Sequence, residues 1–208
     1  MKKILFLPAF LLAMAAVSGQ EPVVLPTPKT DGGMPLMDAL RIRESERSFA
    51  VDELSLQELS NLLWAANGVN RTNGKHTAPS SMNYQEIDVY VLLKAGIYRY
   101  DARGNTLHPI VGGDFRAVAG KQDFVSTAPV NLVYVADFSR VPKGETEAQL
   151  NASYANSGFI AQNVYLFCAS ERLACVVRAY FDTKVLGETL KLSSTQRVIL
   201  TQTVGKKK

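Results

Sequence analysis

The stretch Val130 to Ala136, VNLVYVA, constrains the fold more than any other part of the chain. It is nearly all apolar and shows no alternation of polar and apolar positions, the pattern of a strand at the centre of a sheet. Other strands are expected around it. Ile87 to Leu93 and Ile97 to Tyr100 read as a hairpin about Lys94-Ala95-Gly96, and Val176 to Phe181 and Val198 to Val204 as two further strands.

Helical periodicity falls between these runs. Met34 to Arg43 carries apolar residues at Met34, Met37 and Leu40–Ile42. Ser55-Leu56-Gln57-Glu58 is a capping box opening a helix whose Leu59, Leu62, Leu63 and Ala66 share one face and which stops at Gly68. Asp114 to Phe124 is expected to be helical, and one long helix is expected over Phe159 to Leu173. Arg71 to Asn83, with TNGKH, a proline and paired serines, is a loop. The order αα–ββ–α–β–α–β–β describes an α+β domain with helices on a mainly antiparallel sheet.

The ends are distinct from this body. Met1 to Gly19 opens with two lysines, continues in an apolar run from Ile4 to Val17 and closes on small residues. That is the layout of a cleaved secretory signal peptide, too short for a good membrane span, with cleavage expected after Gly19. No cysteine follows the run, which argues against a lipid anchor. Residues 20–34 are expected to form a Pro/Gly-rich linker or extended arm rather than part of the core, so the domain proper is placed at 35–208. The net charge of +4 comes from the signal lysines and the terminal Lys206-Lys207-Lys208, leaving no nucleic-acid footprint.

Metal and acyl-transfer chemistry find no support. Cys168 and Cys175 have no ligand spacing with the two histidines. On one shared helix the two cysteines would lie about 10 Å apart, too far for a disulfide, and they read as buried free thiols. His76 and His108 fall in turn-like segments and are expected at the surface without partners.

Four segments in the right order then acquire meaning together. Arg43 to Phe49 (RESERSF) by itself reads most readily as a solvated, mixed-charge helix end. Leu54 to Arg71 (LSLQELSNLLWAANGVNR) is a packing helix, with Trp64 and the leucines in the core or at a subunit contact. Thr77 to Gln85 (TAPSSMNYQ) reads as a polar turn before a strand, and Ala174 to Asp182 (ACVVRAYFD) follows the long helix. As a set they resemble the nitroreductase superfamily, and specifically its thiazoline-oxidase-like branch, whose helix carries a Leu-Leu-Trp-Ala-Ala run ending in Gly-Val-Asn-Arg. The resemblance implies a three-layer α-β-α sandwich with a mainly antiparallel sheet.

It also implies a cofactor, FMN. Arg43, Ser45 and Arg47 are similar to the family's RxSxRxF element, which grips the phosphate and ribityl chain; guanidinium forks and a hydroxyl suit a phosphate. Arg47 would stand near N1 and O2 of the ring. Pro79, Ser80, Ser81 and Asn83 would border the ring, Gln122 the ribityl chain, and the backbone N–H of Ala179 would approach N5. Lys206 would help neutralise the phosphate, the alternative being a frayed basic tail. Glu44 stands where many relatives carry a base, and Arg178-Ala179-Tyr180 where they carry a small-residue turn.

The activity implied is ping-pong hydride transfer through bound flavin between an electron donor and a small-molecule substrate, in a homodimer with FMN at the subunit interface. Export would place the protein in the periplasm or outside the cell, although NAD(P)H is a cytosolic reductant. A reading of a different class keeps the fold without the chemistry, as a secreted flavin-binding or scavenging module.

Overall fold

The computed structural model describes residues 20–208; the expected signal peptide lies outside the described residues. The first element, β1 (Val23–Val24), belongs to an extended arm laid along the domain. It pairs with a later strand and Leu25 enters the main core, so the arm, expected outside the core, contributes to it. Ser60 Oγ donates to Pro26 O at 2.5 Å, and the amide of Asn105 donates to the same carbonyl at 2.8 Å. Proline cannot donate to a ladder, and here side chains of the domain hold the Pro26 carbonyl instead.

Helices α1 (Leu36–Ile42) and α2 (Leu56–Asn67) follow. The capping box of α2 forms as expected, with Glu58 N–H donating to Ser55 Oγ and Ser55 N–H to Glu58 Oε2. Its face of Leu59, Leu62, Leu63 and Ala66 is buried, and the helix ends at Gly68. The hairpin β2 (Ile87–Leu93) and β3 (Gly96–Asp101) is also as expected.

The next stretch departs from expectation. Thr106–Gly112 forms a strand, β4, between β3 and β1. His108 and Pro109 hide its pattern, and a bulge at Ile97/Tyr98 accommodates it. Asp114 to Phe124, expected to be helical, makes only two 3₁₀ turns, Arg116–Ala119 and Asp123–Ser126, separated at Gly120. A Cβ at Gly120 would overlap Arg178 Nη1, so the residue that breaks the helix is needed for a close approach.

Strand β5 (Val130–Asp137) runs antiparallel between β2 and β7 (Gln196–Lys206), in the middle of the sheet as expected. Helix α3 spans Glu147–Ser170, starting twelve residues before Phe159. Its first half lacks apolar periodicity because it buries polar groups. Ser153 Oγ and Asn156 Nδ2 donate to Oε1 of Glu86, which is itself buried. Strand β6 (Leu173–Arg178) and an unanticipated short helix, α4 (Thr183–Thr189), precede β7. Asp182 caps α4 by accepting from the N–H groups of Lys184 and Val185.

The result is one antiparallel sheet ordered β1-β4-β3-β2-β5-β7-β6 between two layers. One face packs against α2 and α3 through Leu132, Tyr134, Ile160 and Val164. The other packs against the 3₁₀ turns and α4 through Val133, Val135, Val125 and Leu186. This is the expected α+β, three-layer arrangement. Cys168 lies on α3 and Cys175 on β6, so the one-helix spacing does not apply to them; both are buried and free. Among the described residues no helix is long and apolar enough to cross a membrane.

Ser55→Ala removes an N-cap hydroxyl that accepts from the backbone and should cost about 1 kcal/mol of stability. Urea unfolding of the two proteins side by side measures it.

Candidate active site

The RESERSF segment leaves the end of α1 in extended form and runs beside the edge strand. Glu46 N–H donates to Cys175 O at 3.0 Å, Ala50 N–H to Lys206 O at 3.0 Å, and Phe49 bridges Lys207. Arg43, Ser45 and Arg47 are thereby brought to the same end of the sheet as Lys206. Arg43 sits over the Tyr165 ring at 5.3 Å. Among the described residues no carboxylate lies within 4.0 Å of Arg43, Arg47 or Lys206.

Tyr165, which the sequence did not single out, fixes the hydroxyl of this segment. Its OH accepts the N–H of Val177 at 2.9 Å and lies 2.8 Å from Ser45 Oγ. Either hydroxyl can donate across this contact; when Tyr165 donates, its proton goes to Ser45 Oγ. The proton of Ser45 is then free to point at a ligand.

A second group gathers around the C-terminal end of β6. Lys121 N–H donates to Tyr180 O at 3.1 Å, which holds the Gln122 turn against Arg178-Ala179-Tyr180. Phe124 links the two groups, with its ring 5.3 Å from that of Phe49 and 5.9 Å from the Arg178 guanidinium. In register, Lys206 faces Leu173 at one end of β6 and Thr201 faces Arg178 at the other. Five residues of strand separate them, about 17 Å at 3.3 Å per residue. A ligand touching both groups must be elongated, with an anionic end at Arg43, Arg47 and Lys206; Gln122, expected at the ribityl chain, stands with Ala179 in the other group.

Pro79, Ser80, Ser81 and Asn83 are not part of this gathering. They precede β2 at the opposite end of the sheet, where Ile87 faces Ala136 and Ala136 faces Arg197. There Ser81 N–H donates to Asn156 Oδ1 at 3.2 Å, and Ser80 Oγ accepts from Gln85 N–H at 3.0 Å. Met82, Asn83 and Gln85 all have positive φ, a compact turn with no glycine in it. Within one chain this turn faces away from the RESERSF segment.

The departures noted in the sequence have definite structural outcomes. Glu44 Oε1 pairs with Lys207 Nζ at 3.2 Å, so one cation of the terminal tail is engaged and Lys206 is left without a carboxylate. Arg178 is buried at the heart of the second group. Buried polar atoms there lack a partner among the described residues, namely Arg178 Nε and Gln122 Oε1. Of the two, Gln122 Oε1 fits a donor on a polar ligand laid over this end. The residues present therefore fit a cofactor such as FMN, with cations at one end of β6 and an unmet polar atom at the other.

Both histidines correct their expectation of a partnerless surface site. They line a polar hollow of about 300 Å³ with Arg99, Arg103 and Asp101. His76 Nδ1 lies 3.1 Å from Asn67 Oδ1, and Asn67 Nδ2 faces Ile87 O at 3.4 Å. Burial, with Arg103 adding to it, holds the His76 pKa below its ordinary 6.5. His108 lies on β4, 3.9 Å from Asp101. No group of three or more His, Cys, Asp or Glu among the described residues could hold a metal ion.

With this geometry in place, comparison with known proteins is decisive for the family. The nitroreductase family model matches residues 40–206. The chain belongs to the nitroreductase family. A protein of Methanocaldococcus jannaschii provisionally named a nitroreductase is 31% identical over 183 residues, covering 83% of this chain and 91% of its own. A crystal structure from Ralstonia eutropha JMP134, provisionally a nitroreductase, superposes with a TM-score of 0.86 at 40% identity, covering 100% of this chain and 96% of its own. The NADPH:FMN oxidoreductase of Vibrio harveyi, solved with NAD⁺, shares the fold at 18% identity and a TM-score of 0.64, over 83% of this chain and 68% of its own. Membership makes this protein an oxidoreductase by family.

Two measurements check the site. Tyr165→Phe strands the Val177 N–H and should cost about 1–3 kcal/mol in an unfolding titration. For His76 the folded pKa is the lower one, so the unfolded chain binds its proton first. Stability is then full above pH 6.5 and falls as pH drops from 6.5 towards the lowered folded value. His76→Gln should remove that part of the pH dependence when the two proteins are unfolded across pH 5 to 8.

Proposed function

We propose that this nitroreductase-family protein is an exported, FMN-dependent oxidoreductase of the thiazoline-oxidase-like branch, working as a homodimer. The observation that carries the reading is the alignment of two groups along β6. Arg43, Ser45, Arg47 and Lys206 stand at one end, and Gln122 and the Arg178–Tyr180 backbone at the other. When bound there, FMN supplies the two-electron chemistry, taking a hydride from a donor and passing reducing equivalents to a small-molecule acceptor.

The chain's own residues bind, orient and exclude water. Arg43 and Arg47 offer guanidinium forks to a phosphate, and Ser45 offers its hydroxyl, held by Tyr165. Phe49 and Phe124 form an apolar wall between the two groups. Ala179 offers a backbone N–H in the second group, and the orphaned Gln122 Oε1 accepts a donor from the ligand.

Two features support the dimer. The Pro79–Asn83 turn has the composition to border a flavin but faces away from the first group within one chain, so it is suited to complete the site of a second copy. Large apolar residues are exposed, Leu36, Met37 and Leu40 on α1, Met82 in the turn and Phe159 on α3, and a partner would cover such residues. The branch assignment rests on the LLWAANGVNR helix, and export on the Met1–Gly19 pattern. One observation favours the alternative of a flavin-binding module without turnover. The Glu44–Lys207 pair puts a carboxylate beside the phosphate end.

Arg43→Ala and Ser45→Ala should each weaken FMN binding ten- to a hundredfold, from the loss of a charge-assisted hydrogen bond of about 1.5–3 kcal/mol. Flavin fluorescence titration of the mature protein measures this. Flavin bands that co-elute with a dimer and respond to a hydride donor and an added acceptor support the enzyme. Bands that bind without turnover support the module, and a protein that ignores FMN refutes both.

A further inference from the structure

Arg178 is a buried cation with no counter-ion. It is 6% exposed, and its guanidinium donates to Ala119 O at 2.8 Å, Asn131 Oδ1 at 3.0 Å and Thr203 Oγ1 at 2.8 Å. All three acceptors are neutral. Among the described residues no carboxylate lies within 4.0 Å, and Nε has no partner. Burial pulls its pKa down to about 10, which still leaves it charged at neutral pH.

A second buried arginine in the same layer shows the ordinary solution. Arg116, 9% exposed, has the Asp114 carboxylate at 2.9 and 2.7 Å and two backbone carbonyls besides. Charges are seldom buried unpaired, because desolvation is costly and a neutral side chain could make the same hydrogen bonds. Tying Ala119 to Asn131 and Thr203 therefore explains the hydrogen-bonding atoms of Arg178 but not its charge. The surroundings are also closed to a protein anion. The backbone of Gly120 presses on Nη1, and a Cβ there would come within 2.9 Å of the orphaned Gln122 Oε1.

We propose that Arg178 is the fixed counter-charge for the electrons the bound flavin receives, and so biases the site toward the reduced cofactor. The inference rests on the flavin reading above. A hydride from a dihydronicotinamide-type donor carries two electrons and one proton. The donor leaves one unit more positive, and the flavin ring becomes one unit more negative. That new charge appears beside residues 178–180 and Gln122, over a guanidinium that has no other anion to satisfy it. Arg47 is exposed, so water screens its charge, whereas Arg178 acts through a dry interior where the same charge is felt more strongly. Arg178 does not need to touch the ring to do this; its effect is electrostatic.

The test uses the full mature protein with FMN. Oxidised-FMN affinity comes from fluorescence titration. The midpoint potential of bound against free flavin, from anaerobic dithionite titration with reference dyes, then gives the ratio of affinities for reduced and oxidised cofactor. Arg178→Gln, which keeps hydrogen-bonding capacity without charge, should lose tenfold or more of that preference. Tenfold is about 30 mV for a two-electron couple. Its affinity for oxidised FMN should stay within about threefold. Arg178→Lys should keep the preference. The inference is overturned if Arg178→Gln keeps the wild-type ratio, if it loses affinity for both forms equally, or if Arg178→Lys loses as much as Arg178→Gln. If Arg178→Gln does not fold, Arg178→Lys decides alone, since a lost ratio despite a retained charge sinks the idea. If the wild type binds no flavin, the functional reading fails first and this one falls with it. Flavin binding with an unmoved potential leaves that reading standing and removes only the role of Arg178.

Discussion

Strand β5 is hydrogen-bonded on both edges and buried on both faces over Val130–Ala136, so each of its side chains needs a partner layer. On one side α2 and α3 supply apolar cover. On the other the cover is two short 3₁₀ turns and α4, a thinner layer that leaves backbone close to the sheet. The one amide side chain of β5, Asn131, faces that thinner layer and has to be satisfied there. Its Nδ2 donates to Val125 O at 2.9 Å, and its Oδ1 accepts from Thr203 Oγ1 at 2.6 Å and from Arg178. An unmet amide at this depth would cost on the order of 1–3 kcal/mol, so one asparagine ties the turn at 123–126, β7 and the end of β6 into one unit. The candidate site is built on the outer side of that unit, which is why it inherits a rigid floor.

How much of this could be read from the sequence follows from the kind of signal each element carries. Val130–Ala136 and the Ser55–Glu58 box were legible because each states its role locally, through burial on both faces in one case and reciprocal capping in the other. β4 was not, because Pro109 and His108 look like loop residues and the bulge that accommodates them belongs to β3. The first half of α3 was not, because Ser153 and Asn156 are buried against Glu86, a residue about seventy positions earlier. The helix expected at 114–124 failed for a related reason. Gly120 is placed by the guanidinium of Arg178, and nothing in the local sequence announces that contact.

The site divides along the same line. Arg43, Ser45 and Arg47 could be named because they lie together in the chain. Tyr165 could not, since its role depends on α3 passing behind the segment and offering one hydroxyl to both Ser45 and Val177. Arg178 was visible as a departure in ACVVRAYFD, and Asn131 as the one polar position in VNLVYVA. That the two meet is a matter of strand order, β5-β7-β6, which places them two strands apart and lets a long side chain span the gap across Thr203. Polar residues interrupting apolar strands were the available clue to a buried network.

The pairing of Glu44 with Lys207 bears on whether the phosphate end is blocked or merely occupied. Both side chains are largely open to water, at 61% and 47% exposure, and such a pair contributes between nothing and about 1 kcal/mol. A phosphate meeting Arg43, Arg47 and a lysine makes charge-assisted bonds of about 1.5–3 kcal/mol each. The exchange of Glu44 for phosphate as the partner of Lys207 is therefore downhill, and the freed carboxylate can turn to solvent at little cost. What Glu44 does impose is one negative charge near the anion, a penalty weakened by water and by salt. On the flavin reading, then, the departure at Glu44 lowers affinity without closing the site, and a weakly held FMN would be acquired and lost as its free concentration changes.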